Sequence, residues 1–539
     1  MISKSEKAIF RGDLFRHLDG IVTAPTAFSL LEKGLTDYIL ENKKVTLTEL
    51  CSKFKANDGY LNVGLRVLCS QGWLDQEVNN QNDTVAFSVN DATETAFNHF
   101  FLYKEAVESL KFTENFHPRK FELEPFLLLE KMFEKFKNNF GIEISTNKNE
   151  KEIQLQILKH IEGIIVGPTI VHLGMGGMFH KYFMEASFKT EEFHSDAKSF
   201  QRLLDIFVHF EWFIKKNGTY QFSEKGLFFV RRASAYGVTV SYIPTLRKLD
   251  ELIFGNPCAV KYTVTKNKEG HVDREMNVWG SGGAHANYFK IVDEIIIELF
   301  NKPIEEQPKG ILDMGCGNGA FIKHLYYVIE QHTLRGKMLD EHPLVLVGAD
   351  YNKTSLKITK GNLIQADIWA KVVFGDIGRP DLLANQLKDN YNINLKDLLN
   401  VRTFLDHNRI WKAPTNINKD RSSISSGAYA YEGVRLNNNL IEDSLLEHFN
   451  NWAPYVEKFG LLIIELHTVQ PELVSKNLGK GASTAYDATH GYSDQYIMEV
   501  DVFNKVMAEA DLYPDSSTIK KFPNSDLATV TINLFKAKA

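Results

Sequence analysis

Residues 311–325 read Ile-Leu-Asp-Met-Gly-Cys-Gly-Asn-Gly-Ala-Phe-Ile-Lys-His-Leu. An apolar run over Gly310, Ile311 and Leu312 leads into Asp313 and then into three alternating glycines, Gly315, Gly317 and Gly319. An amphipathic segment starts at Ala320. The pattern predicts a strand, a glycine-rich turn and a helix start, which together bring backbone N–H groups and a helix N-terminus close to a ligand. Glycine permits positive φ there and leaves no Cβ in the way. The spacing is Asp-x-Gly-x-Gly-x-Gly, which differs from the dinucleotide fingerprint G-x-G-x-x-G. Two signals follow in order. Residues 343–350, Pro-Leu-Val-Leu-Val-Gly-Ala-Asp, predict a second buried strand ending in Asp350, 31 residues after Gly319. That interval is long, and the polar stretch 331–342 accounts for the excess. Residues 372–377, Val-Val-Phe-Gly-Asp-Ile, form a third element that ends in an acid.

In this form the glycine turn resembles motif I of class I S-adenosylmethionine (SAM) methyltransferases. The resemblance implies a Rossmann-like α/β domain in which Asp313, Gly315, Gly317 and Gly319 hold SAM. An acid at the end of the second strand, Asp350, is placed to accept the two ribose hydroxyls. Asp376 and Ile377 match the turn where such enzymes bind adenine.

A chain of 539 residues is too long for one ordinary domain. Its hydrophobic content of 44% and charged content of 24% are those of a soluble globular protein. The net charge of −6 gives no support for a nucleic-acid partner, which favours a basic face. Cysteines at 51, 69, 258 and 316 form no C-x-x-C pair and no metal spacing, and such scattered thiols suit a reducing cytoplasm. Cys316 reads as a small structural residue of the glycine turn. The N-terminus lacks the apolar core of a signal peptide, and no stretch reaches the length of a membrane span, so a cytoplasmic protein without a membrane partner is expected.

Taken in order, residues 23–41 carry Phe28, Leu31, Leu35, Tyr38 and Ile39 at helical spacing. Thr46 and Glu49 make a possible capping box for a short helix. A third helix is predicted over 57–71, and Gly72-Trp-Leu with 85–89 would supply the strands of a wing. Three helices and a β-wing make a winged-helix unit, and the stretch resembles the dimerisation domain of small-molecule O-methyltransferases. DNA readout needs Arg or Lys at phosphates and base edges. The helix that would do it, 60–70, has one basic residue, Arg66. The pattern recurs in a degenerate form over about 155–235, with a helix at 199–213 and a hairpin turning at Asn217-Gly218. Residues 97–140 suit helices packing one unit on the other. The glycine cluster in 171–180 is read as a loop or a close helix contact, because no second-strand acid follows it. A helix is expected over 242–255 and a polar surface segment over 262–271. The glycines between Trp279 and Phe289 precede an apolar helix. They read either as a lid edge, with Tyr288 at the SAM carboxylate or the substrate, or as a hinge. The domains are therefore 1–115, winged-helix-like; 116–275, a helical lid with the second winged-helix-like unit; and 276–539, the SAM-binding domain.

Beyond the cofactor, residues 401–409 place Asp406 and His407 where a strand ends, and sheets of this type carry catalytic groups at those ends. Residues 459–468 are a buried-looking strand ending at His467, and a loop with Tyr486, Asp487, His490, Tyr492, Asp494 and Gln495 comes later. His407, His467, His490 and Gln495 are four potential nitrogen or oxygen ligands. Two histidines and one oxygen donor with open positions suit Fe²⁺ or Mn²⁺. The alternative is a histidine general base without metal.

The segments 279–289, 312–319, 404–409, 465–468 and 485–495 resemble the metal-dependent C-methyltransferases of polyketide initiation modules, of the apratoxin and saxitoxin loading type. The resemblance implies that His467, His490 and Gln495 are metal ligands. It makes His407 a nearby acid or base or a substrate contact, and Asp406 and Tyr492 stand beside it as the other catalytic candidates. It also implies methylation of the α-carbon of a malonyl thioester on an acyl carrier protein. A divalent ion would stabilise the enolate oxygen, and His or Asp would accept the proton. Two other readings stand beside it: a metal-free O-methyltransferase with a histidine base, and a winged-helix SAM-sensing regulator, which would need a basic helix. The acyl substrate and the oligomeric state are left open.

Overall fold

The computed structural model describes residues 2–112, 116–117, 120–121, 123–261 and 270–538. Most of the polar segment expected at 262–271 therefore lies outside the described residues. The chain divides into two compact units. The first holds Met1–Ala284, Ala430–Arg435 and Gln470–Ser493, and the second His285–Tyr429, Leu436–Val469 and Asp494–Ala539. Among the described residues no helix is long and apolar enough to cross a membrane.

The first unit opens on a helix, Lys4–Glu32, started by a capping box in which Ser3 and Glu6 exchange hydrogen bonds. The helix expected over 23–41 is thus the end of a longer one, followed after Gly34 by Leu35–Asn42. The earlier part escapes a periodicity search because residues 17–27 are buried all round and show no polar stripe. Its partner is the helix Lys148–Met175. The two cross at reciprocal glycines. A Cβ on Gly20 would lie 2.3 Å from His160 Cα, and one on Gly163 would lie 2.4 Å from the His17 carbonyl oxygen. Alanine is the better helix former by about 1 kcal/mol, but forcing a methyl into a packed backbone contact costs about 1–3 kcal/mol or more. Gly163→Ala is therefore expected to lower the unfolding free energy by about 2 kcal/mol in urea denaturation. A variant as stable as the parent would rule out this close crossing.

The winged-helix order follows: Lys44–Thr46, then Leu47–Phe54, Asp58–Ser70 and the strands Asp75–Asn79 and Thr84–Ser88. The last strand is central in a three-stranded antiparallel sheet. Thr46 and Glu49 form the expected capping box. Every residue from Gly59 to Ser70 is buried. Arg66, the one basic residue on this helix, is paired at 2.9 Å with Asp487 inside the same unit. The second winged-helix element is built from Ala197–His209 and the hairpin Phe213–Lys216/Thr219–Phe222, which turns through Asn217 and Gly218, both at positive φ. Phe188 pairs with Tyr220 as a third, single-bridge strand.

Several local expectations change. Residues 242–255 form two short helices, Ile243–Leu246 and Leu249–Phe254, in place of one. In the cluster expected as a loop or a close helix contact, Gly174 lies in the last turn of the helix Lys148–Met175 against the Phe179 ring, and Gly176 caps that helix. The glycines at 280–283 lie inside the continuous helix Arg274–Phe300 and not before it. They are there for packing: a Cβ on Gly280 would meet Val238 N at 2.6 Å, and one on Gly283 would meet Ser234 Cβ at 2.7 Å. The division between the units falls within this helix, after Ala284. Residues 483–491, expected as part of a loop, are the helix Ser483–Gly491, buried over most of its length.

The second unit is an α/β domain around one eight-stranded sheet. Its order is Lys371–Phe374, Val345–Asp350, Gly310–Met314, Leu398–Thr403, Leu461–Leu466, Val530–Ala537 and Leu512–Pro514, with Lys520–Phe522 also paired to Val530–Ala537. The first five strands run parallel, and Val530–Ala537 runs antiparallel to Leu461–Leu466. This is the Rossmann-like class I methyltransferase arrangement. Gly310–Met314, first in sequence, lies between the second and fourth, so the order reverses direction beside it. Ligands of such sheets bind at the carboxyl ends of the strands at this switch point.

Candidate active site

All five residues of Gly310–Met314 are buried, and Asp313 points its carboxylate inward at 1% exposure. Burial pushes its carboxyl up to about 8, and the charge of Asp350 adds to the shift. Asp313 Oδ1 has no partner among the described residues. A buried polar atom left in this state is costly unless something donates to it. After the strand, Gly315, Gly317 and Gly319 all take positive φ, at 80°, 56° and 78°. The turn is tied down by backbone bonds from Gly315 and Cys316 to the Ala349 carbonyl and by Thr359 Oγ1 donating to the Gly317 carbonyl at 2.8 Å. Cys316 is buried, and burial lifts its thiol far above the usual range, so it is a packing residue.

Asp350 stands at the end of the neighbouring strand. Its two oxygens accept N–H groups from Gly317 at 3.0 Å and Asn352 at 2.8 Å. Asp376 follows the next strand and accepts from Gly378 N at 2.8 Å, while the Ile377 carbonyl accepts from Trp452 Nε1 at 2.7 Å. Tyr288 packs its ring edge-on against Phe404 and Phe522, at 5.8 and 5.4 Å between centroids. Phe404 holds φ of 54°, a strained position for a large side chain that costs about 1–2 kcal/mol. That strain turns the chain sharply at the end of Leu398–Thr403 and lays Leu405 against the glycine turn. A Cβ on Gly315 would meet Leu405 Cδ2 at 2.8 Å.

Next come Asp406 and His407, in a single 3₁₀ turn. Burial opposes ionisation of Asp406, but Arg402 and His448 outweigh it and hold the carboxyl at about 2. Arg402 donates to Asp406 Oδ1 at 2.5 Å, His448 Nε2 lies 2.9 Å from the same atom, and the guanidinium of Arg402 stacks 4.1 Å over Trp452. Asp406 is thus a buried, paired anion. His407 Nδ1 lies 2.5 Å from Glu465 Oε1. Glu465 is fixed in turn by N–H groups of Asp406, His407 and Leu466, at 2.9, 3.3 and 2.7 Å. An ionised Glu465 accepts only, so Nδ1 carries the proton and Nε2 is the basic nitrogen.

The proposed metal ligands lie apart in role. His467 packs into the second unit with both ring nitrogens engaged, Nδ1 with the Met498 carbonyl at 3.1 Å and Nε2 with Thr531 Oγ1 at 2.8 Å. Burial lowers its pKa to about 4, so it is neutral near pH 7. Gln495 also belongs to the second unit, after Asp494 at positive φ. His490 and Tyr492 belong to the first unit. His490 Nδ1 bonds the Tyr486 carbonyl at 2.8 Å, and the Tyr492 hydroxyl lies 3.1 Å from Thr26 Oγ1. Among the described residues no three His, Cys, Asp or Glu side chains cluster as a metal site. As arranged, His467 offers a metal no nitrogen without breaking one of its bonds.

Glu465, Arg402, His448 and Trp452 are parts of the site that sequence reading did not assign. Glu465 had a signal: an acid within the apolar strand Leu461–Leu466 is costly to bury unless it has work to do.

Three family descriptions match successive parts of the chain: "AprA N-terminal domain" over residues 10–76, "AprA winged helix domain" over 162–256 and "AprA MT2-like domain" over 269–533. Among solved structures, the CurJ carbon methyltransferase is similar at 12% identity, covering 69% of this chain and 92% of that one, with a TM-score of 0.33. Human N-acetylserotonin methyltransferase in complex with SAM is similar at 12% identity over 74% and 100% of the two chains, with a TM-score of 0.44. The mitomycin 7-O-methyltransferase MmcR is similar at 10% identity over 72% and 98%, with a TM-score of 0.40. No curated protein matches the sequence.

Proposed function

Because this chain belongs to the family of AprA-like methyltransferases, we propose that it methylates the α-carbon of a malonyl-type acyl group carried on an acyl carrier protein, in polyketide-like biosynthesis. It is a SAM-dependent methyltransferase, and SAM supplies a methyl group on a positively charged sulfur. The residues at the carboxyl ends of the sheet fit that cofactor. The unpartnered Asp313 oxygen, the open glycine turn and the acid at Asp350 would hold it, with Asp376 and Ile377 at the adenine end.

The observation that carries the reading is the His407–Glu465 pair, packed on the turn that touches Gly315. Glu465 fixes the imidazole so that Nε2 can take a proton from the α-carbon as the C–H bond breaks. The electron pair left on that carbon forms the new bond to the methyl group, whose bond to sulfur breaks. The 1,3-dicarbonyl makes that proton acidic enough for a histidine to remove. Asp406, locked to Arg402 and His448, keeps the turn rigid so that the base and the acceptor carbon stay aligned. The family resemblance also carries an Fe²⁺ or Mn²⁺ ion into the proposal. His467 as placed does not fit ligation, so no step is assigned to a metal.

The same pair favours one second reading, O-methylation of a small hydroxyl substrate with His407 as base. The deciding experiment incubates the purified chain with SAM and a malonyl-loaded carrier protein, with and without exhaustive chelation, and weighs the acyl group by mass spectrometry. One or more methyl groups on the malonyl carbon is the expected result. Loss after chelation, restored by Fe²⁺ or Mn²⁺, would add the metal. No methyl transfer to the acyl group, with transfer to hydroxylated acceptors instead, would overturn C-methylation.

A further inference from the structure

We propose that a cavity of about 610 Å³ in the first unit is a second, non-catalytic binding site for a small organic carboxylate with an apolar chain. Its walls include Arg16, Gln71, Trp73, Gln156, Lys159 and Leu478, all within that unit. The volume suits a small-molecule ligand.

The hydrogen-bond inventory of the walls gives the ligand its chemistry. Lys159 is neutralised by Glu162 at 2.6 Å and Asp13 at 3.7 Å. Gln71 is satisfied, donating to Thr484 Oγ1 at 2.9 Å and accepting from Gln156 at 2.8 Å. One donor is left over. Arg16 is half-buried and has no hydrogen bond or ion pair among the described residues. It donates only, so the group that completes it is an acceptor only, as a carboxylate is. The planar fork of arginine matches a carboxylate in two parallel hydrogen bonds. Asp19, three residues along the same helix from Arg16, has its carboxyl lifted by burial to about 7, so near neutral pH it cancels only part of that charge. The acids on the cavity wall, Asp91 and Glu152, are exposed at its rim. Ile153, Leu155 and Leu478 supply an apolar wall for the chain of the ligand.

Octanoate and the isosteric octanamide are the probes, each titrated calorimetrically into the full chain in the presence of SAM. Octanoate is expected to bind roughly tenfold or more tightly than octanamide, the gain of a charge-assisted over a neutral contact. Arg16→Gln should remove this preference while leaving SAM binding unchanged. Ser475→Trp, which fills the mouth beside Gly72, should abolish octanoate binding with SAM binding kept. Equal binding of the two probes by the parent, or a preference that survives in Arg16→Gln, overturns the site. If Arg16→Gln no longer binds SAM, Ser475→Trp decides: octanoate binding retained by that folded variant overturns the proposal.

Discussion

Asp350→Ala is expected to weaken SAM binding by about 100-fold or more, read by calorimetric titration of SAM or S-adenosylhomocysteine. The carboxylate at this strand end already holds the Gly317 and Asn352 N–H groups, so it both shapes the glycine turn and offers its remaining lone pairs to a ribose diol. Each charge-assisted hydrogen bond lost is worth about 1.5–3 kcal/mol, and two of them amount to at least 100-fold in affinity. Asp350 is half-exposed, so its removal should leave the fold intact. The melting temperature of the variant without SAM serves as the control. Asp350→Asn keeps one carbonyl acceptor without the charge and is expected to fall between the two. A dissociation constant within about threefold of the parent for Asp350→Ala would remove this acid from the cofactor site, because no charged hydrogen bond is worth so little.

The ease of reading different parts of this chain follows from how their physics is written. The order strand, glycine turn, acid, strand, acid is local, and each piece has one dominant cause: positive φ at Gly315, Gly317 and Gly319, and apolar strands ended by Asp313, Asp350 and Asp376. The winged-helix units were legible for the same reason, through a capping box at Thr46 and a hairpin turn at Asn217-Gly218. The long helix Lys4–Glu32 was legible only at its end, because a helix buried on every side carries no stripe. Glycines misled in the opposite direction. Gly280 and Gly283 looked like a flexible entry to a helix, yet they are the small residues that let Arg274–Phe300 approach Ala233–Val240. Within the site, sequence reading found His407 but not what holds it. Glu465 comes from another strand 58 residues away, and Arg402 and His448 meet on Asp406 only once the sheet is formed. Pairings of that range have no local pattern. The histidines chosen by their position after strands show the same limit. His467 is at a strand end as expected, but the neighbouring strand supplies Thr531 and the chain near Met498 a carbonyl, and both occupy its ring.

Glu465→Gln tests the part of the site that only the folded chain displays, and its expected effect on the rate is the largest. Both Glu465 oxygens accept backbone N–H groups, and Oε1 also takes the proton side of His407. An amide NH₂ in place of either oxygen points a donor at donors. If it faces the ring, it forces the proton from Nδ1 to Nε2, and the base nitrogen is lost. By analogy with carboxylate–histidine pairs elsewhere, kcat should fall by about 100- to 10,000-fold. The same mismatch should cost about 1–3 kcal/mol of stability. Glu465→Asp, which keeps the charge, serves as the check if the glutamine variant does not fold. A purely structural role for Glu465 would lower the melting temperature and leave the rate of the surviving folded fraction unchanged. A positioning role lowers kcat with KM for SAM and the SAM affinity kept. In Glu465→Gln the ring presents N–H where the base should be, so raising the pH should not restore the parent's rate. A variant that recovers full activity at high pH would assign the base to another group.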